Sequence, residues 1–428
     1  MSLSNALFAS VSGLDTASTA ISVIGDNISN VSTPAFKERR ALFADLLGQN
    51  ISTSGGVSQI GSGSKVLNVG QVFTQGTFES SANTTDLGIE GRGFFILDGQ
   101  QGQTYSRAGL FNFDRDGLLV DALGQRVQGF TIDPATQTST GQLADIQLNV
   151  TLADPQASTG IEVSMNLDSA APTNGPFSLV DPSGTSSFQT SVTAYDSLGG
   201  GHEVTVYYTR TGPNAWTWNA TIPPADSTVP PGAGETVVSI GAGTLAFDTA
   251  GNLSATTGGP LVANFTGGGA LAQNVALDFG ATGTTAVTTQ FTGDGDDSTA
   301  LSITQDGFAT GNVSNLTIDR EGFFVVSFTN GRTQALARAA LATFPSVEGL
   351  TAVGNNLFVE SRESGQPLIG APETGQFGSV RSNAIEQSNV DLADQFIRLI
   401  INQRAFQANT RTVSTTNELL ANLVQLGQ

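Results

Sequence analysis

Apolar residues recur every seven positions at both extremes of this 428-residue chain, and that spacing constrains the fold more than any other feature. Near the start the row is Leu7, Leu14, Ile21 and Ile28, with Ser10, Ala17, Ile24 and Val31 filling a second row. Near the end it is Ile385, Leu392, Leu399, Phe406, Val413 and Leu420. A seven-residue period keeps one stripe of a helix facing a partner, so each end is expected to be a coiled-coil-like helix. Gly25 weakens the first helix by about 1 kcal/mol relative to Ala, and Ser32, Thr33 and Pro34 end it near residue 31. Ser388 and Asp391 have capping-box spacing at the start of the second. Its remaining seam positions, including Gln403, Thr410 and Asn417, are polar, which points to a packed bundle rather than a two-stranded zipper. Apolar burial along such a stripe falls short of the entropy cost of ordering the helix, and helix hydrogen bonds recover only part of the gap, so full order is expected against further copies of the chain.

Between the ends the sequence changes period. GRGFFILDG at 91–99 and REGFFVVSFTNG at 320–331 each carry a Gly-Phe-Phe strand, a polar turn, an Arg-Ala step and a Gly-Leu turn. Alternating strands with tight turns such as Asp116-Gly117 are the pattern of antiparallel sheet, and the two stretches are expected to be halves of one β-domain. The interval is dense in Thr, Gly and Ala, with strand-like SFQTSVTAYDS and HEVTVYYTRTG. The expected fold class is therefore multidomain α+β. Residues 1–34 and 380–428 form a packed helical core, 71–146 with 301–370 an inner split β-domain, and 147–300 an inserted outer β-domain. The Gly- and Ser-rich region within 35–70 serves as a joint.

Charge removes several function classes. Thirty-seven acidic against 17 basic side chains leave a net charge of −20, which repels nucleic-acid backbones and anionic membranes. The absence of cysteine removes disulfides, thiolate metal sites and cysteine nucleophiles. No Lys or Arg precedes Lys37, so no secretory signal is expected, and no run of about 18 apolar residues is expected to insert in a membrane.

Candidate chemical sites have bland explanations. His202, the single histidine, opens a strand with no nucleophile pattern beside it, and a solvent-side position is expected. GDGDD at 293–297 resembles a calcium loop, but counting from Asp294 its twelfth position is Gln305. GSGSK at 61–65 lacks phosphate-loop spacing, and Gly91-Arg92-Gly93 leads into a strand. Asp114 and Asp116 could pair for glycoside chemistry, though a hairpin turn explains them better.

SNVDLADQFIRLIINQRAFQANTRTVSTTNELL at 388–420 resembles the C-terminal signature of the flagellar rod, hook and hook-associated axial proteins. SVSGLDTASTAISVIGDNISNVSTPAFK near the start resembles the same family's N-terminal pattern, with Asn27-Ile28-Ser29-Asn30 as its turn and Ala35 where Gly is usual. The signature positions are Ser12, Gly13, Leu14, Asn27, Asn30, Pro34 and Phe36, then Asn389, Val390, Asp391, Leu392, Gln403, Arg404, Gln407 and Asn409. Hook-type members fit the length and the insertion best. The resemblance implies terminal helices lining a central channel, β-domains outside, no cofactor and no catalysis. It further implies a self-assembling torque-transmitting polymer, with a distal rod protein, a hook-filament junction protein and a hook cap as neighbours. Export through the flagellar type III apparatus is implied as well, with Phe43 and Leu47 as a patch for its gate and an extracellular destination in the hook. The alternatives are a distal rod subunit, or an acidic extracellular β-protein that binds or cleaves glycans.

Overall fold

The computed structural model describes residues 3–426 apart from 48, 54–55, 100–101, 134–135, 149–151, 268–271, 283–287 and 293–296. It is mostly β-strand, with one long helix at each end, Leu3–Ser29 and Leu392–Leu426. At 1.5 Å per residue these are about 40 and 52 Å long. The N-terminal helix runs through Asn27, Ile28 and Ser29, so the turn expected there begins only at Asn30, and Val31 lies beyond the helix. The Asn30 side chain secures that end by donating to the Asp26 carbonyl at 2.9 Å. Over Asn5–Ser29 this helix is long and apolar enough to cross a bilayer by length and composition, contrary to the expectation from sequence. Within the chain, however, Ala17, Ala20 and Ile24 are buried by its neighbours.

The C-terminal helix starts later than its period suggests. Asp391, not Ser388, caps it: its Oδ1 accepts from the Ala393 amide at 2.8 Å and from Asp394 at 3.4 Å. Ile385, in register with the heptads by spacing, instead sits in the strand Ala384–Glu386, paired with Phe78–Ser80.

The chain divides into two compact units. The first comprises Met1–Asn149, Leu316–Val326 and Gln334–Gln428 and holds both helices. Its 35–70 region is a β-ribbon: Arg39–Asp45 pairs antiparallel with Ser64–Gln71, and Gln49–Thr53 with Gly56–Ile60. Beyond the ribbon, Arg126–Ile132, Phe94–Gly99, Gly102–Ser106 and Leu357–Val359 are successive neighbours in one sheet. Phe95 and Leu97 enter one core and Phe94 and Ile96 another, so this strand is covered on both faces and its apolar run is continuous. The second Gly-Phe-Phe motif sends Phe324 into the same core as Phe95. The repeated sequence thus marks two strands that fill one interior.

The second unit, Val150–Asn315 with Ser327–Thr333, contains a five-stranded antiparallel sheet of Phe188–Tyr195, Gly201–Gly212, Ala215–Ile222, Val238–Phe247 and Leu253–Gly258. A four-stranded sheet, in the order Leu261–Ala263, Gln273–Asp278, Gly160–Asn166 and Thr299–Gln305, shares its core. Trp216 and Trp218 are the largest side chains buried there.

One turn recurs in both units. Asp114–Gly117, Asp121–Gly124, Asp196–Gly199, Asp248–Gly251 and Asp319–Gly322 each end on a glycine with φ between 75° and 85°. In the first, Asp114 Oδ1 accepts from the amides of Asp116 and Leu118 at 2.9 and 2.8 Å, so that carboxylate is engaged in shaping the hairpin. The aspartate supplies the acceptor, and the glycine supplies the left-handed backbone.

Candidate assembly surface

The two helices lie antiparallel, and the residues that set their spacing belong to the two end signatures. A Cβ added at Gly13 would meet Asn409 Nδ2 at 2.6 Å, so glycine here permits the close approach. Two heptads further on, Asn27 Nδ2 donates to Gln395 Oε1 at 3.1 Å and to the Arg39 carbonyl at 2.8 Å, and Asn27 Oδ1 accepts from the Arg39 amide. Gly13 and Asn27 are separated by the same number of residues as Gln395 and Asn409, so the register is kept along the pair.

The expected seam is only partly the contact within the chain. Ser10, Ala17 and Ile24 are buried, while Leu7, Leu14, Ile21 and Ile28 are half-buried, as are Leu399, Val413 and Leu420. Leu392 and Phe406 are more exposed. The polar row that accompanies them is Gln395, Asn402, Asn409 and Thr416, three residues on from each apolar position. Gln403, Thr410 and Asn417, expected in that row, lie four residues on and are exposed, as are Arg404 and Gln407.

Sequence spacing missed one exposed apolar group. Phe396, Ile397, Ile400 and Ile401 are 50%, 58%, 49% and 59% exposed. At about 100° per residue, they point away from the row containing Gln395, Leu399 and Asn402. The signal is the run Phe-Ile-Arg-Leu-Ile-Ile at 396–401, more apolar residues in succession than a single stripe can bury. Phe8 and Val11 are similarly exposed on the N-terminal helix.

Where the two ends of the chain enter the first unit, side chains of both signatures lock the backbone. Asn389 accepts from the Glu38 amide at 2.7 Å and donates to Val72 carbonyl and Thr74 Oγ1 at 2.8 and 2.9 Å. Asn356 donates to the Pro34 carbonyl. Ala35, where the family pattern has Gly, keeps the left-handed backbone at φ 58° and is buried, its amide donating to the Glu386 carbonyl at 2.8 Å. Phe36 and Val390 are buried nearby in sequence to these groups. Beneath them Lys37 Nζ donates to Glu386 Oε1 at 2.7 Å, with both side chains buried, and Arg107 Nη1 lies 3.7 Å from Glu386 Oε2. Burial pushes the Lys37 amine below its usual range, and the Glu386 charge offsets only part of that shift.

Phe43 and Leu47 lie on and just past a ribbon strand, Phe43 half in solvent and Leu47 almost wholly so. Gly293–Asp296 of the GDGDD stretch lie outside the described residues. His202 is not on a solvent face: it is buried, stacked on Phe265 with ring centroids 4.2 Å apart, and its Nε2 is 3.2 Å from Asp196 Oδ2. It shares the inward face of its strand with the buried Val204 and Val206, so alternation itself places it in the interior.

Four families match in chain order. They are described as flagella basal body rod protein (residues 7–37), flagellar hook protein FlgE/F/G D1 domain (88–166), flagellar basal body protein FlaE D2 domain (166–308) and flagellar basal body rod FlgEFG protein C-terminal (381–426). The chain is 34% identical to the flagellar hook protein FlgE of Borreliella burgdorferi, covering 98% of this chain and 99% of that one. It is 33% identical to FlgE of Salmonella typhimurium, covering 97% and 98%. Among solved structures, Helicobacter pylori flagellar hook protein FlgE2 superposes with a TM-score of 0.51 at 16% identity, over 71% of this chain and 99% of that one, a likeness of fold.

Proposed function

Because this chain belongs to the flagellar hook protein family, we propose that it is the repeating subunit of a flagellar hook, a helical polymer that carries torque while it bends. The observation that carries the reading is the apolar face at Phe396, Ile397, Ile400 and Ile401, which the described residues leave about half exposed. Apolar area of this kind on a helix whose opposite side is already paired calls for neighbouring helices of other copies. The near full-length match to hook proteins favours this over a distal rod subunit or a glycan-directed β-protein.

In this account the helices of many copies form a coiled-coil-like inner tube, and the seam residues Leu7, Leu14, Ile21, Leu399, Phe406, Val413 and Leu420 hold each pair within it. The β-domains lie outside the tube and slide over those of neighbouring copies, so twist is resisted by the tube and bending is tolerated at the outer contacts. The distal rod, the hook cap and the hook-filament junction protein are its neighbours in the flagellar axis. Phe43 and Leu47 are presented to the type III export gate before folding.

Electron microscopy of concentrated full-length protein beside the I397D/I400D chain tests the reading. Tubes from the first and monomers with native helical ellipticity from the second are expected; tubes from both would refute the assignment of this face.

A further inference from the structure

The first unit encloses a cavity of about 280 Å³ that the assembly account does not use. Phe94, Phe344 and Pro345 form apolar walls, Thr343 adds a hydroxyl, and Arg92 and Arg107 bring two guanidinium groups. Arg107 is 7% exposed. Its Nη1 and Nη2 donate to the carbonyls of Ile89 and Gly91 at 3.3 and 2.8 Å, but its buried Nε has no acceptor among the described residues. Its guanidinium lies 5.3 Å from the Phe94 ring centroid.

The charges around it do not balance. Lys37 and Arg107 are both buried against one carboxylate, Glu386, whose Oε2 itself receives no hydrogen bond. One positive charge is left in excess inside a chain that is strongly negative overall. A buried charge of this kind is costly until an anion reaches it, and the exposed Arg92 extends the cationic side of the cavity to solvent.

We propose that this cavity binds one monocarboxylate with a flat apolar body, its carboxylate toward Arg92 and Arg107 and its body against Phe94, Phe344 and Pro345. A cation would add to the excess charge, a neutral ring would leave it uncompensated, and inorganic phosphate would leave the apolar walls unused. The carboxylate comes either from a free small molecule or from an acidic side chain next to an apolar residue on a second copy of the chain.

Titration calorimetry of the unassembled full-length chain with sodium benzoate, and with benzyl alcohol as its uncharged counterpart, tests the site. Benzoate is expected to bind one per chain, about tenfold or more tighter than benzyl alcohol, as a charge-assisted hydrogen bond implies. Arg92→Gln is expected to weaken benzoate by a similar factor without altering helical ellipticity or tryptophan fluorescence. No benzoate binding, equal affinity for the two probes, or unchanged affinity in R92Q overturns the proposal. Repeating the titration on assembled tubes separates the sources: retained binding identifies a free carboxylate, and binding lost on assembly identifies the neighbouring copy.

Discussion

Glu386→Gln is the substitution whose cost the structure specifies most closely. The change preserves shape but removes the one negative charge between Lys37 Nζ at 2.7 Å and Arg107 Nη1 at 3.7 Å, leaving two buried cations without a counter-charge. Breaking a buried pair from one side costs about 3–5 kcal/mol. In a unit of this size each kcal/mol moves the melting temperature by about 2–4 °C, so the shift is about 6–20 °C. Lys37→Met must cost less than E386Q, because it leaves Arg107 facing Glu386 with the charges balanced. The chain supplies its own control: both tryptophans, Trp216 and Trp218, lie in the second unit, and both long helices lie in the first. Thermal unfolding followed by helical ellipticity should move in E386Q, while unfolding followed by tryptophan fluorescence should stay in place. An ellipticity shift below about 2 °C, or K37M more damaging than E386Q, would refute the charge argument.

Other consequences concern single positions. Burial lowers the Lys37 pKa below 10.5, so between the lowered value and 10.5 the unfolded chain holds a proton that the folded chain has lost. The stability of wild type relative to K37M should therefore rise with pH through that window, as urea titrations in alkaline buffers would report, and a falling difference would contradict it. At Ala35, Gly should leave stability within about 1 kcal/mol, since relief at φ 58° and the lost methyl nearly cancel. Ala35→Val should cost about 2 kcal/mol or more in denaturant titration, because a β-branched residue at that φ is strained. In the second unit, a Cβ at Gly258, φ 124°, would run into the Trp218 ring. Gly258→Ala should therefore destabilise by about 3 kcal/mol, read by tryptophan fluorescence.

The elements that were legible from sequence owe this to strong local signals. The heptads located both helices, and the Gly-Phe-Phe motifs located two strands that share a core, because period and turn chemistry are local properties. The Asp116-Gly117 hairpin was legible for the same reason: its aspartate, Asp114, and its glycine act within four residues. What spacing could not decide was competition between local and distant partners. Ile385 keeps the heptad count, yet Phe78–Ser80 claims its backbone as a strand and Asp391 starts the helix beyond it. Both Gln395 and Phe396 flank the seam in the sequence, and only the antiparallel partner, through Asn27, selects the first as the inner row. His202 alternates in phase with the buried Val204 and Val206, so its interior position was legible from period two, while its partner Phe265, distant in sequence, was not. The Arg107 cavity gave no sequence signal, since Lys37, Arg107 and Glu386 come from three separated segments.

Copies are proposed to meet through the helix face opposite the internal pair. A cryo-electron-microscopy reconstruction of tubes formed by the full-length chain measures this directly. Phe396, Ile397, Ile400 and Ile401 are expected within about 4.5 Å of apolar side chains of neighbouring subunits, with Gly13 still against Asn409 inside each subunit. Those four residues facing open solvent or the channel, in a tube held together through the β-units alone, would contradict it.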